Sequence, residues 1–271
     1  MVRTTDPRTG SAAYLYDDQQ RDLPLGLLAL AFAVLVVLVA RWRGLAALAG
    51  LGVAYAVLVL FVLPALLDGE PALAVGLVAG SAILFVVLYL AHGPSARTSA
   101  ALAGTLLSLG LTGLLAVVAT GAARITGLSS EIVPVVQQSA PAVSVSGLVL
   151  CGVVIGALGV LNDVTVTQAS AVWELAGADP AASRPRLFRS AMRIGRDHIA
   201  SSVYTLVLAY AGSAIPLLLL VSLSARSVHD IVTGDEVAEE ALRSLVGGIG
   251  LVASVPITTA LAALVVSRGR D

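Results

Sequence analysis

Asp163, Thr167, Ser170 and Glu174 recur at i, i+4, i+7 and i+11 in a run that is otherwise largely apolar. On a helix this spacing puts all four on one face. Asp197, Ser201, Tyr204 and Thr205 repeat the arrangement at i, i+4, i+7 and i+8, just after Arg193 and Arg196. Carboxylates and hydroxyls along one face can hold a cation, a proton or a small polar solute. The arginines beside them can neutralise the carboxylates, or take a phosphate or carboxylate of the solute. In a membrane each isolated charge costs at least about 2.5–3.5 kcal/mol, so it must be paired, protonated or facing water. The structural alternative is that Asp163 and Asp197 pair with Arg193 or Arg196 at the interface and fix a loop. Glu174 falls in or beyond the headgroups.

Membrane helices must position these residues. The chain has 271 residues, 58% hydrophobic and 12% charged. Soluble domains carry about 25% charged residues. The mean hydropathy of +0.95 leaves more apolar surface than a soluble fold could hide, so the lipid bilayer is a partner. A net charge of −1 argues against a nucleic-acid partner. Cys151, the one cysteine, lies in an apolar run and reads as a small buried hydrophobe. His92, His198 and His229 are far apart, no metal-ligand spacing is present, and no cofactor motif is found.

Hydropathy predicts an all-α polytopic transmembrane helix bundle of about seven spans. Residues 1–22 form a polar extracytoplasmic tail, and 23–271 a single transmembrane helical domain. The spans are Leu23–Ala40, Leu45–Leu66, Ala72–Ala91, Ala100–Thr120, Ala142–Leu161, His198–Leu223 and Ser244–Val266. A tight turn at Arg41–Gly44 makes the first two an antiparallel hairpin. The fifth continues as an extended helix to Leu175, or 163–177 forms a re-entrant passage. Residues 179–196 form a cytoplasmic loop with Arg184, Arg186, Arg189, Arg193 and Arg196. The spans flanking it are consecutive and so expected to be neighbours. Their polar stripes would then face each other across a cleft. Ser213 with Pro216, and Pro256, mark interruptions in the last two spans. Leu128–Glu131 could start a surface helix. Thr233 and Glu236 fit a capping box ahead of an i,i+4 pair, Glu239 and Arg243.

Arginine placement sets the orientation. Arg41, Arg43, Arg97, the five of the 179–196 loop, Arg268 and Arg270 fall on one side. Arg3, Arg8, Arg21, Arg124, Arg226 and Arg243 fall on the other. This predicts the N-terminus outside and the C-terminus in the cytoplasm. Gly76 with Gly80, and Gly152 with Gly156 and Gly159, make faces where helices can approach closely, within the chain or in a homo-oligomer.

Three runs carry a resemblance: GALGVLNDVTVTQASAVWEL, MRIGRDHIASSVYTLVLAYAGSAIPLLLL and EEALRSLVGGIGLVASVPITTALAA. Over about Asp22 to the C-terminal end the chain resembles the YibE/YibF-like family of bacterial multi-pass membrane proteins. Asp163, Ser170, Glu174, Arg196, Asp197 and Tyr210 match its motifs. The resemblance implies a bacterial plasma-membrane location. It also implies a further membrane segment and extracytoplasmic domain upstream, which would place both termini inside. It assigns no catalytic or ligand role.

Three functions are open. The first is a transporter or permease component for a small polar solute or ion, with Asp163 and Asp197 taking the cation or proton. In it Thr167, Ser170, Ser201, Tyr204 and Thr205 supply hydrogen bonds. The second is a non-transporting scaffold or receptor whose polar stripes serve helix packing. The third, placed last, is an intramembrane enzyme. Ser170 and Ser201 have no general base at a motif spacing, and a carboxylate dyad of Asp163 with Asp197 needs the two within a few ångströms.

Overall fold

The computed structural model describes residues 2–5, 12–15, 21–128, 133–216, 219, 222 and 234–268. The chain forms two compact units, 1–48 and 49–271. In the first, strands β1 (Val2–Thr5) and β2 (Ala12–Leu15) pair antiparallel, with Val2 opposite Leu15. Helix α1 (Asp22–Val57) starts in this unit and continues past it. Leu23, Leu28, Leu38 and Val39 on it are exposed, as lipid-facing side chains are.

The expected loop at Arg41–Gly44 shrinks to one residue. Arg41 leaves helical geometry (φ 53°, ψ −129°), and the helix resumes at once. Arg and Trp are adequate helix formers and no proline intervenes, so nothing holds a longer loop open. The bend presses the Val36 carbonyl against Gly44, leaving no space for a side chain there. A positive φ costs a non-glycine residue about 1–3 kcal/mol. Arg41→Gly is therefore expected to raise stability by about 1 kcal/mol in detergent unfolding; a lowered midpoint would contradict this.

The second unit carries the bundle. A π-helical turn, Leu58–Val62, follows α1 and leads into α2 (Leu63–Leu67). Its signature is the Leu63 amide donating to the Leu58 carbonyl, one residue further back than in an α-helix. Pro64 lies next and lacks an N–H, so the register slips just before it. Then come α3 (Ala72–His92), α4 (Ala96–Ala123), α5 (Val133–Ser139), α6 (Val145–Ala178), α7 (Arg184–Ser213) and α8 (Asp235–Arg268). Among the described residues, five segments are long and apolar enough to cross a membrane: Asp22–Leu67, α3, α4, α6 and Val237–Val266 of α8. Helices α4, α6 and α8 pack together at the centre, α3 lies against α6, and α7 against α6 and α8.

The caps follow the sequence. Ser95 Oγ accepts the Thr98 amide at 3.1 Å to open α4, and Ser144 Oγ accepts the Gly147 amide at 3.2 Å to open α6. Gly76 lets α3 touch Cys151 and Val154, and Gly80 lets it touch Leu158. That glycine pair therefore serves packing within the chain. Helix α4 is inside-out relative to a soluble helix: Leu107, Leu114 and Val118 are exposed while Thr105, Ser108 and Thr112 are fully buried. This is the distribution of a multi-pass membrane protein, with lipid as the solvent for the apolar faces.

Two expectations are corrected. Residues 163–177 make no re-entrant turn, because α6 runs unbroken to Ala178. The segment 179–196 is not a loop beyond Ser183. Arg184 onward is helical, with Pro185 in the first turn, where its missing N–H does no harm. Leu187, Ala191 and Gly195, spaced four apart, give it a buried face, and the arginines take the other side. The predicted interruption near Ser213 is present as the end of α7. Ser129, Ser130 and Glu131 of the expected surface helix, and Thr233 of the capping box, lie outside the described residues.

Candidate functional site

The continuous helix keeps Asp163, Thr167, Ser170 and Glu174 on one face of α6. Asp163 and Glu174 are exposed on it, and Thr167 and Ser170 are half-buried. The Thr167 hydroxyl donates to the Asp163 carbonyl of its own helix. Asp197, Ser201, Tyr204 and Thr205 on α7 are all exposed, Tyr204 to 70%. Helix α7 packs through Leu187, Ala191, Gly195 and Leu206 instead, because the small residues there allow the closest approach. The facing cleft is therefore not formed. The expected Asp–Arg pairs are also absent among the described residues: Arg193 donates to Ser190 Oγ at 3.2 Å, and Arg196 makes no ion pair. Arg186 instead pairs with Asp179 at 3.3 Å. The predicted Glu239–Arg243 pair is present at 2.9 Å, with Glu240 joining Arg243 at 2.6 Å.

The bundle holds a different polar constellation. Thr98, Thr105, Ser108, Thr112 and Thr120 of α4 are all buried, on one helical face completed by Ala101 and Ala116. Thr165 and Gln168 of α6 and Ser254, Thr258 and Thr259 of α8 are buried against this centre. From Thr98 to Thr120 the rise is about 33 Å at 1.5 Å per residue, close to the roughly 30 Å hydrocarbon thickness of a bilayer. The hydroxyls therefore form a ladder as long as the membrane is thick.

Cross-links tie the ladder to its neighbours. Thr105 Oγ1 and Thr165 Oγ1 lie 2.6 Å apart. Each also reaches a carbonyl of its own helix at 2.8 Å, Ala101 and Leu161 respectively. With a longer contact from Thr165 to the Asn162 carbonyl at 3.2 Å, two hydroxyl hydrogens serve four contacts, so not every contact holds a proton and the Thr105–Thr165 bond can run in either direction. Gln168 Nε2 uses both hydrogens, donating to the Ala191 carbonyl at 2.9 Å and to Thr259 Oγ1 at 2.7 Å. Thr259 donates onward to the Val255 carbonyl at 2.6 Å. Pro256 has no N–H, which leaves the Val252 carbonyl without its helical donor. Thr258 Oγ1 presses on Gly104 and Thr112 Oγ1 on Gly250, each where no Cβ would fit.

Some polar atoms stay unsatisfied. Thr120 Oγ1, Thr258 Oγ1 and Asn162 Oδ1 are buried with no hydrogen-bond partner among the described residues. An orphan of this kind typically costs about 1–3 kcal/mol. Two of the three sit on the α4 and α8 hydroxyl faces described above.

One end of the ladder meets an open surface depression and the other a crevice of about 10 Å³. Thr120 lines the depression, of about 700 Å³, together with Arg124, Thr126, Gln137 and Ser146. At the arginine-rich end Thr98 borders the crevice, shared with His92, Arg97 and Ser170. Ser170, a predicted site residue, thus borders the Thr98 end of the row. The row of hydroxyls and the Gln168 amide carries no charge, and these groups can exchange hydrogen bonds with water or another small polar group. Charge drew the sequence reading to α6 and α7; the signal that would have found the ladder is the recurrence of Thr and Ser at helical spacing through 98–120.

No curated protein and no solved structure matches the chain. The YibE/F-like protein family model matches residues 28–268, nearly the whole of the membrane bundle, so the chain belongs to the YibE/F-like family.

Proposed function

We propose that this membrane protein moves a small polar solute or ion across the plasma membrane along the α4 hydroxyl ladder. The observation that carries the reading is a membrane-length row of buried hydroxyls that meets an open surface depression at Thr120 and a crevice of about 10 Å³ at Thr98. In this reading the described conformation is closed. Thr105, Thr165 and Gln168 exchange their hydrogen bonds for bonds to the solute as it passes, and the unpartnered Thr258 hydroxyl is the first to take one. The arginine-rich end faces the cytoplasm, as arginine placement favours. Asp163, Glu174 and Asp197 act from outside the ladder, on the bundle's exposed faces.

The test is flux through purified protein in proteoliposomes. Shrinkage assays with glycerol, urea and glycine cover solutes, and a pH-sensitive dye covers protons. At least one probe should cross faster than in empty liposomes. Thr105→Val combined with Thr258→Val should lower that rate at least about tenfold, because valine keeps the shape and removes the hydroxyl. Asp163→Asn should change it less than threefold, by roughly 0.6 kcal/mol at most. Loss of flux in Asp163→Asn with normal flux in the threonine variant would move the path to the outer face of α6.

The tight Gly104–Thr258 and Gly250–Thr112 contacts favour a second reading, a non-transporting scaffold whose hydroxyls lock the helices together. In that case no probe crosses, and the double valine variant loses thermal stability rather than flux.

A further inference from the structure

The N-terminal half of α7 carries Arg186, Arg189, Arg193 and Arg196 at spacings of three, four and three, so all four share one exposed face. Together with Phe188 and Met192, both half-buried, they line an open groove of about 490 Å³. Arg186 is neutralised by Asp179. No carboxylate lies within salt-bridge distance of Arg189, Arg193 or Arg196 among the described residues. Hydrogen bonds within the helix hold two of these side chains in place: Arg189 Nε donates to the Pro185 carbonyl at 3.3 Å, and Arg193 Nη2 to Ser190 Oγ at 3.2 Å. Most guanidinium N–H groups remain free to donate, in a fork that matches phosphate oxygens.

The position of the groove identifies its occupant. Helix α7 is basic up to Arg196, and its composition then turns apolar, with Val207 and Leu208 exposed beyond it. Helix α6, long and apolar enough to cross a membrane, ends at Ala178 and α7 begins at Arg184, so the arginines follow directly on the end of a span, at headgroup depth. The apolar Phe188 and Met192 beside the charges suit the glycerol and upper acyl region rather than a free ion.

We infer that this groove binds the phosphate of an anionic phospholipid headgroup. Asp179, Asp197 and Glu174 are the acidic groups near this end, and of these Asp179 occupies Arg186. Arg189, Arg193 and Arg196 supply the attraction, while Phe188 and Met192 distinguish lipid from inorganic phosphate.

The test is titration of the full chain in neutral detergent with dioctanoyl phosphatidylglycerol, dioctanoyl phosphatidylcholine and inorganic phosphate, read by the shift in unfolding temperature and by microscale thermophoresis. The anionic lipid should bind at least about tenfold more tightly than either other probe. Arg189→Gln/Arg193→Gln/Arg196→Gln should lose that preference while unfolding, without lipid, at the parent temperature. The matching triple lysine variant, which keeps the charge, should retain part of it and so separates a binding loss from a folding loss. Equal binding of both lipids by the parent, or an unchanged preference in the glutamine variant, would overturn the inference. Inorganic phosphate binding as tightly as the anionic lipid would overturn the lipid assignment.

Discussion

Gly104→Ala and Gly250→Ala are each expected to destabilise the detergent-solubilised protein by about 1–3 kcal/mol, among the largest effects of any single methyl group in the bundle. At Gly104 the added carbon meets Thr258, and at Gly250 it meets Thr112; in both cases the nearest atom is a threonine hydroxyl. These side chains are short and fully buried, so they cannot swing away. The helices must part instead, which separates α4 from α8 along the ladder. Gly152→Ala and Gly159→Ala are the controls. Nothing lies within 4 Å of a side chain at either position, and alanine is the better helix former by about 1 kcal/mol. Those variants should be neutral or slightly stabilised in a thermal unfolding assay. A Gly104→Ala protein as stable as the parent would mean that α4 and α8 do not meet here.

Gln168→Leu is expected to affect both folding and flux. Leucine matches glutamine in rough volume, so packing against Gly195, whose added Cβ would lie 3.0 and 3.1 Å from the amide atoms, is largely kept. Both amide hydrogen bonds are lost, however. The Ala191 carbonyl loses its side-chain donor, and Thr259 keeps only its own bond to Val255. Interhelical bonds of this kind are worth about 0.6 kcal/mol on average in membranes and at most about 1.7. The expected loss of stability is therefore about 1–2 kcal/mol. Flux in proteoliposomes should fall at least about tenfold, or by roughly 1.4 kcal/mol in barrier height. Unchanged flux with lowered stability would assign Gln168 to packing alone.

The long helices were legible because lipid imposes a simple demand. Twenty apolar residues must satisfy their own backbone, and α3, α4 and α6 lie close to where hydropathy puts spans. The break at Arg41 was visible as RWRG, but its length was not, since nothing in those four residues fixes a loop. Arg184–Arg196 read as a loop because charge density hid its period; Leu187, Ala191 and Gly195 are too small and too few to dominate a hydropathy window. The continuous α6 puts Asp163, Thr167, Ser170 and Glu174 on one face, as their spacing implies. Which way that stripe faces depends on which neighbour α6 prefers, and that is decided by close contacts at Gly76, Gly80 and Gly195 rather than by the stripe itself. The buried ladder escaped notice because a hydroxyl bonded to its own helix, as Ser108 is to Gly104 and Thr112 is to Ser108, costs a membrane helix little and leaves no charge to mark it.

Cysteine accessibility along α4 tests the central claim most directly. Cys151 is the sole cysteine and is buried, so Cys151→Ala gives a silent background. Single Thr98→Cys, Thr105→Cys, Thr112→Cys and Thr120→Cys variants are then treated, in sealed membranes, with a small charged methanethiosulfonate. Leu107→Cys on the lipid face of the same helix serves as reference. The ladder predicts that Thr120→Cys reacts from one side, Thr98→Cys from the other, and Thr105→Cys and Thr112→Cys slowly from either, while Leu107→Cys stays unmodified. Thr105→Cys and Thr112→Cys that react only after the protein is unfolded would show a sealed core and contradict a path through it.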